Sequence, residues 1–151
     1  LHALMELCYL FGKDMRNRKR GCIINLSSIS GFLPGPYMAS YYASKTFILS
    51  FTVSLAKELK PYNIQVKVLC PGVIKTMFYA KAKADLKYSW LLHYMPPKSA
   101  KHFAKKAYKQ IMNTNKLVVL IGMKYKIIVF LRKLVSIRTA SNIIAWIQRK
   151  K

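Results

Sequence analysis

The chain has 151 residues and a formal net charge of +23, because it carries 27 lysines and arginines but only 4 aspartates and glutamates. Hydrophobic residues make up 53% of the chain, which contains only 6 glycines and 6 prolines. This composition excludes an acidic protein and the disordered, collagen-like and low-complexity classes. The length fits one globular domain of modest size.

Three features of the sequence bear on its cellular location. Cys8, Cys22 and Cys70 are odd in number and lie in apolar runs, which predicts reduced, buried thiols rather than a disulfide framework. Residues 1–11 lack the basic start and the cleavage site of a secretory signal. The most apolar late segment, residues 117–131, contains two lysines and is shorter than the roughly 20 apolar residues that cross a bilayer. We therefore expect a cytoplasmic protein with no transmembrane helix.

The chain opens with a predicted helix and a predicted strand. Apolar residues recur at three- and four-residue spacing over residues 4–15, which predicts a helix that runs into the basic turn 16–20. Cations at that place suit the negative C-terminal end of a helix. Residues 22–26 form a short apolar run rich in β-branched side chains, which predicts a strand buried on both faces.

A second helix and a second strand follow. A loop over residues 27–37 leads into a helix over 39–60, which ends before Pro61. Residues 63–70 predict a strand that the next two residues, a proline and a glycine, stop at once. The alternation of helix and strand favours an α/β layer with a parallel sheet and right-handed crossovers.

The rest of the chain is less regular. Trp90 and Tyr94 lie in an irregular stretch, where lining a substrate pocket and being exposed aromatics of a mobile loop are weighed equally. The predicted segments are a partly helical flap over 75–98, a helix from Pro97 to about 112, a strand over 116–121 and a basic, apolar helical tail over 123–151.

Three short segments carry the chemical information: residues 25–31 (NLSSISG), 41–45 (YYASK) and 71–76 (PGVIKT). The pattern Tyr-x-x-x-Lys has little value alone, because the chain contains it four times. Only the copy that starts at Tyr41 has a serine-bearing strand before it and a strand ending in Pro-Gly after it. The joint spacing therefore marks residues 41–45 as the informative copy.

Taken together, these segments resemble the short-chain dehydrogenase/reductase family over essentially the whole chain. In that family a serine at the end of a strand precedes the tyrosine by about thirteen residues, and 41 − 28 = 13 favours Ser28 over Ser27. Tyr41 is favoured over Tyr42 because only Tyr41 has a lysine four residues later. The resemblance implies a partial Rossmann-like, doubly wound parallel sheet. Residues 1–121 would form its C-terminal catalytic half and residues 122–151 a basic amphipathic helical tail.

The predicted catalytic residues are Ser28, Tyr41 and Lys45. Residues four apart share one helix face, so the Lys45 ammonium can lie near the Tyr41 phenol. A nearby cation favours the ionised form of a phenol, so Tyr41 could exchange a proton with a substrate oxygen while a nicotinamide exchanges hydride. Ser28, at the carboxyl end of its strand, would hydrogen-bond the same oxygen.

The resemblance also implies a cofactor, NAD or NADP, with NADP slightly favoured. Lys45 would bind the nicotinamide ribose, and the backbone at Pro71 and Gly72 would approach the nicotinamide. Val73 and Thr76 match family positions that contact the carboxamide and the phosphates. The predicted cofactor-binding residues are therefore Tyr41, Lys45, Pro71, Gly72, Val73 and Thr76. No metal is expected, because the three histidines have no partners at ligand spacing.

The family's glycine-rich nucleotide-binding turn has no counterpart among the six glycines of this chain. We therefore expect a C-terminal fragment or truncated product of a longer reductase, inactive alone. The whole protein would be an oxidoreductase that interconverts a small-molecule carbonyl compound and a secondary alcohol. The full-length form is expected to be a homo-oligomer.

The high positive charge supports an alternative interpretation, in which the chain is not a catalytic part of an enzyme. After Asp85 there is no acidic residue, while 15 lysines and arginines follow. A tail that pairs apolar residues with cations could lie on an anionic membrane, so the chain could be a non-catalytic, basic membrane-surface or interaction fragment. Packing of the tail on the enzyme body or a neighbouring subunit is weighed equally with membrane contact. Specific nucleic-acid binding is not expected, because no nucleic-acid module is present.

Overall fold

The computed structural model describes residues 1–85 and 97–148. Its main sheet has three parallel strands in the order β1 (Gly21–Leu26), β2 (Ile64–Cys70) and β5 (Val118–Leu120). A second, two-stranded parallel sheet joins β3 (Ile74–Lys75) to β4 (Lys98–Ser99). The predicted α/β class with a parallel sheet is confirmed.

Six α-helices and two short 3-10 helices (Ile29–Phe32 and Lys60–Tyr62) accompany the strands in the described part of the chain. The α-helices are α1 (His2–Asn17), α2 (Ala39–Leu59), α3 (Met77–Asp85), α4 (Ala100–Met112), α5 (Met123–Arg132) and α6 (Ile137–Gln148). The first two match the predicted helices closely. The fourth begins three residues later than predicted. Residues 86–96, with Trp90 and Tyr94, lie outside the described residues, so the predicted flap is seen only at its two ends.

Helices cover both faces of the main sheet. On one face, α1 and α2 enclose an apolar core that joins Cys8 and Leu59 to Ile23, Ile64 and Val66 of the strands. On the other face, α4 packs on a second core of Phe103, Ala107, Ile111, Val119 and Ile121. Alternate side chains of each strand point to opposite faces, so β2 contributes to both cores.

The prediction that β1 is buried on both faces was wrong. Ile24 and Leu26 are 43% and 54% exposed. Their side chains point to the side of the sheet on which α4 lies. The core beneath α4 is built on β2 and β5, however, so these side chains of β1 stay exposed. The prediction that all three cysteines are buried fails at Cys22, which is exposed on this same face, whereas Cys8 and Cys70 are buried. Strand periodicity explains both errors, because every second side chain of β1 points to this open face.

The basic tail is not one continuous helix. It breaks over residues 133–136 into α5 and α6, where the backbone N–H groups of Lys133 and Leu134 bond carbonyls three residues earlier. The Ser136 hydroxyl accepts the N–H of Thr139 at 3.0 Å and caps the start of α6. Among the described residues no helix is long and apolar enough to cross a membrane.

A buried polar bond ties the first core together. The Asn25 side chain of β1 donates to the Thr52 hydroxyl of α2 at 3.0 Å, and both residues are buried. A buried amide without such a partner would cost about 1 to 3 kcal/mol. Asn25 therefore braces the strand against the helix and holds β1 in place just before the serines that follow it.

Candidate active site

The predicted site residues surround one cavity of about 640 Å³. The cavity lies where β1 and β2 end, at the carboxyl edge of the parallel sheet, which is where ligands of open α/β sheets bind. All of the predicted catalytic and cofactor-binding residues line it: Ser28, Tyr41, Lys45, Pro71, Gly72, Val73 and Thr76. The fold thus brings together residues that are up to 48 positions apart in the chain (76 − 28).

Pairing with the end of β2 positions the two serines after β1. The Ser27 N–H bonds the Leu69 carbonyl at 2.9 Å, and the Ile29 N–H bonds the Pro71 carbonyl at 2.8 Å. Ser28 is therefore held beside the Pro-Gly turn. Its hydroxyl oxygen accepts the Ser30 N–H at 3.1 Å and lies 3.2 Å from the Ser30 hydroxyl oxygen.

Ser27 has a different role from Ser28. Its hydroxyl donates to the Lys45 carbonyl at 2.7 Å, so it fixes the first turns of α2 to the end of β1. That bond uses the only proton of the Ser27 hydroxyl. The Ser28 hydroxyl also donates, to the Ser30 hydroxyl at 3.2 Å, so it would have to turn from Ser30 to donate into the cavity, and the choice of Ser28 over Ser27 stays a prediction.

Tyr41 and Lys45 lie one helical turn apart on α2, as the spacing predicts. The Lys45 ammonium is 5.9 Å from the centre of the Tyr41 ring and donates to the Leu26 carbonyl at 3.3 Å. The Tyr41 ring also stacks on Phe78 of α3, with ring centres 5.0 Å apart. Burial lowers the pKa of Lys45, and the nearby Cys70 thiol opposes that shift.

Tyr42 is almost fully buried beside the cavity that it helps to line. Its hydroxyl accepts a hydrogen bond from the Gln148 side chain at 2.7 Å and also hydrogen-bonds Ser30. Burial raises the pKa of Tyr42, so the phenol keeps its proton. This residue therefore joins α2 to the end of α6.

Cys70 adds no nucleophile to the site. Burial raises the pKa of its thiol to about 12, although a Ser27 hydrogen bond and the Lys45 charge act in the opposite direction. Only the thiolate is strongly nucleophilic, so Cys70 is inert at neutral pH. In the part of the chain that the structure describes, no cluster of three or more His, Cys, Asp or Glu side chains could hold a metal.

The raised pKa of Cys70 predicts a loss of stability in alkali. Between about pH 9 and 12 the folded state keeps a thiol proton that the unfolded state releases. The free energy of unfolding should therefore fall as the pH rises, by up to about 1.4 kcal/mol per pH unit from this group. Denaturant unfolding across this range measures the slope.

Other groups titrate in the same range, so the informative quantity is the difference between variants. Cys70→Ala should flatten the slope, whereas Cys22→Ala, which removes an exposed thiol, should leave it unchanged. Parallel slopes in the wild type and Cys70→Ala would contradict the assignment of this effect to Cys70.

The tail packs on the enzyme body, one of the two arrangements that the sequence analysis weighed equally, but the contacts that it makes at the cavity were not predicted. The Tyr125 hydroxyl of α5 accepts the Val73 N–H at 3.1 Å, and its ring covers Gly72 so closely that no Cβ atom would fit there. A nicotinamide carboxamide could use the Val73 N–H only if Tyr125 moved aside. Gln148 and several aliphatic side chains of α5 and α6 also line the cavity. In the sequence, the only signal for this packing was the recurrence of apolar residues at helical spacing in the tail.

The arrangement is that of an α/β domain with a serine, a tyrosine and a lysine beside the carboxyl edge of a parallel sheet. Residues 1–87 match the family described as short chain dehydrogenase. The chain therefore belongs to the short chain dehydrogenase family.

Individual relatives agree with this assignment. The chain is 46% identical over 65 residues to the human dehydrogenase/reductase SDR family member 4, which covers 43% of this chain and 23% of the relative. It is 34% identical over 91 residues to the 3-oxoacyl-[acyl-carrier-protein] reductase FabG of Chlamydia trachomatis. That match covers 60% of this chain and 37% of the relative. The chain thus matches well under half the length of these two relatives.

A solved structure shows the same fold. A short chain dehydrogenase from Burkholderia cenocepacia J2315, in complex with NADP, superposes with a TM-score of 0.72 at 23% identity. The match covers 99% of this chain and 57% of that chain. The likeness therefore extends through α5 and α6, beyond the residues that the family match covers.

Proposed function

We propose that this chain carries the catalytic residues of an NAD(P)-dependent oxidoreductase that interconverts a carbonyl compound and a secondary alcohol. The observation that carries the proposal is the convergence of Ser28, Tyr41 and Lys45 on one cavity, in a chain of the short chain dehydrogenase family. The predicted division of the chain after residue 121 belongs to the same proposal, with residues 122–151 as a tail that helps to enclose the cavity.

In this proposal Tyr41 exchanges a proton with the substrate oxygen. Its phenol lines the cavity and can both donate and accept a proton, which suits it to that exchange. The Ser28 hydroxyl donates a hydrogen bond to the same oxygen and stabilises the negative charge that develops on it. The Ser30 N–H donates to the Ser28 hydroxyl oxygen at 3.1 Å and holds it in place, while the Ser28 proton turns from the Ser30 hydroxyl, 3.2 Å away, to the substrate oxygen.

Lys45 and Thr76 fit a nicotinamide cofactor, whereas Gly72 and the Val73 N–H could contact it only if Tyr125 moved aside. Within residues 1–85 and 97–148 the Lys45 ammonium donates one hydrogen bond, to the Leu26 carbonyl at 3.3 Å, so its other N–H groups are available for ribose hydroxyls. The Thr76 hydroxyl accepts the Tyr79 N–H at 3.3 Å, which leaves its own proton for a phosphate. When bound, the cofactor would supply or accept the hydride. No residue of this chain is assigned to the adenine end.

The test of the proposal is an assay of the protein at its natural full length. NADPH and NADH are each supplied with a series of ketones, and the loss of reduced cofactor is followed with and without ketone. We expect oxidation that depends on the ketone, and the reverse reaction when a secondary alcohol and the oxidised cofactor are supplied. An intact fold without any ketone-dependent oxidation would refute the proposal.

We propose as a second, separate property that the tail contacts an anionic membrane surface. Phe130, Leu134, Ile137 and Trp146 of the tail are between 61% and 76% exposed, beside several lysines and arginines. Exposed apolar side chains next to cations favour the boundary of an anionic bilayer.

Membrane contact of this kind should depend on salt. We expect the protein to co-sediment with vesicles that contain anionic lipid and to be released as the salt concentration rises, because screening weakens the attraction. Trp146→Ser should weaken the binding, whereas Tyr9→Ser, an exposed aromatic residue on α1, should not. Equal binding to neutral vesicles would exclude the electrostatic account.

The natural protein is also proposed to be a homo-oligomer. Leu7, Leu10 and Phe11 form an apolar stripe on α1, and each is more than half exposed. Such a stripe is well suited to pack against another helix. Light scattering of the full-length protein would show a mass above that of the monomer, and Leu10→Glu should reduce it.

A further inference from the structure

We propose that the apolar face of α5 and α6 binds the body of the substrate, and that the substrate is a ketone whose body is a hydrocarbon of several carbons. This inference rests on the proposed function, because the carbonyl end of the ketone is placed at Ser28 and Tyr41. The tail then selects among ketones by the apolar surface that each of them can bury.

The tail gives the cavity an aliphatic wall. Six side chains of α5, α6 and the turn between them form this wall, at the three- and four-residue spacing that places residues on one helix face: Ile128, Leu131, Val135, Ile143, Ile144 and Ile147. Leu131 and Ile143 line the cavity and are nevertheless 53% and 47% exposed. A ligand with a hydrocarbon body would cover this apolar surface, and its removal from water is favourable.

The aliphatic wall lies close to the proposed catalytic residues. Helix α5 lies against the 3-10 helix Ile29–Phe32, which directly follows Ser28. At the end of α6, the Gln148 side chain lies 2.7 Å from the hydroxyl of Tyr42, which is the neighbour of Tyr41 on α2. The proposed cofactor-binding residues belong to α2 and to the segment that follows β2, and none of them belongs to α5 or α6. The wall is therefore left for the substrate.

Two polar residues of the tail also line the cavity. Gln148 is 2% exposed and is bonded to Tyr42, so its amide is closed to a ligand. Arg132 donates from Nη1 to the Val135 carbonyl at 3.0 Å, and its Nε is buried. A sugar or a polyol would need a hydrogen-bond partner for each hydroxyl group that it takes out of water. The aliphatic wall supplies no such partners, so it favours a hydrocarbon body over a polar one.

A series of unbranched methyl ketones, from butanone to decanone, tests the proposal with the full-length protein. Each added methylene should raise kcat/KM about two- to fourfold until the wall is covered, because each one buries further apolar surface. Replacing two methylenes of the longest ketone with ether oxygens should reverse part of this gain. Equal kcat/KM along the series would overturn the proposal, as would a preference for a keto acid over the ketone of the same length.

Two isoleucines of the tail separate the role of the wall from general hydrophobicity. Ile143 and Ile127 are 47% and 51% exposed, but of these two Ile143 lines the cavity and Ile127 does not. Ile143→Ser should flatten the rise of kcat/KM with chain length, whereas Ile127→Ser should leave that rise as in the wild type. Ile143→Trp, which fills part of the cavity, should shift the preference to shorter ketones. The same dependence on chain length in the wild type and both Ile143 variants would overturn the role of the wall.

Failure of the proposed function gives a different result, because then no ketone is reduced at all. In that case titration calorimetry with the same ketones measures their binding directly. Affinity that rises with chain length, with an increasingly negative heat-capacity change, and that is weakened by Ile143→Ser but not by Ile127→Ser, would still support the role of the wall. Affinity that does not depend on chain length would overturn it.

Discussion

Replacing Tyr41 with phenylalanine is expected to lower kcat/KM for ketone reduction by roughly 10²- to 10⁴-fold, which is the usual contribution of a positioned proton donor. The change removes one oxygen atom and leaves the ring, so the stacking on Phe78 is retained. The full-length variant should therefore unfold at nearly the same temperature as the wild type. Steady-state kinetics together with thermal unfolding measures both effects.

Tyr9→Phe provides a matched control. Tyr9 also has a lysine four residues later on a helix, but it is 68% exposed on α1 and does not line the cavity. Its replacement should leave kcat/KM unchanged. Turnover by Tyr41→Phe close to that of the wild type would show that another group donates the proton.

The second large effect is expected at Gly31. A Cβ atom added there would lie 2.8 Å from the Lys45 carbonyl oxygen and 2.9 Å from the Ser27 hydroxyl. The first of these neighbours is backbone of α2 and cannot rotate away. Gly31→Ala should therefore lower the free energy of unfolding by about 1 to 3 kcal/mol and displace Lys45, with a loss of activity. Denaturant unfolding measures the change.

Gly12→Ala is the appropriate comparison for Gly31→Ala. Gly12 lies within α1, where an added Cβ atom meets the Leu59 side chain at an ordinary distance of 3.7 Å. Alanine is the better helix former, so this variant should be more stable by about 0.5 to 1 kcal/mol. Equal stabilities of Gly31→Ala and the wild type would contradict the close packing inferred between the serine loop and α2.

The main elements of the fold follow from local sequence patterns. Apolar spacing and Pro61 defined α2, and Pro71 defined the end of β2, because these signals act within a few residues. The burial of a strand's side chains is harder to predict, since it depends on which helices cover each face of the sheet. Ile24 and Leu26 have the composition of a strand buried on both sides, yet α4 covers only the neighbouring strands.

The candidate site likewise has residues that could be predicted from the sequence and residues that could not. The resemblance to the short-chain dehydrogenase/reductase family predicted that Ser28, Tyr41 and Lys45 meet, and all three line the cavity. The contributions of Tyr125 and Gln148 could not be predicted. Their placement depends on how α5 and α6 fold back over the cavity, and neither residue belongs to a local motif.

The most direct test of the central claim follows the hydride itself. The full-length protein is given a ketone and NADPH or NADH that carries deuterium at the transferable position of the nicotinamide, and the product alcohol is analysed by mass spectrometry. We expect deuterium on the carbinol carbon with the wild type and with Tyr9→Phe, and almost none with Tyr41→Phe in the same time. Two results would contradict the account. One is an alcohol product that carries no deuterium, whichever face of the nicotinamide was labelled. The other is an equal amount of labelled alcohol from Tyr41→Phe and from the wild type.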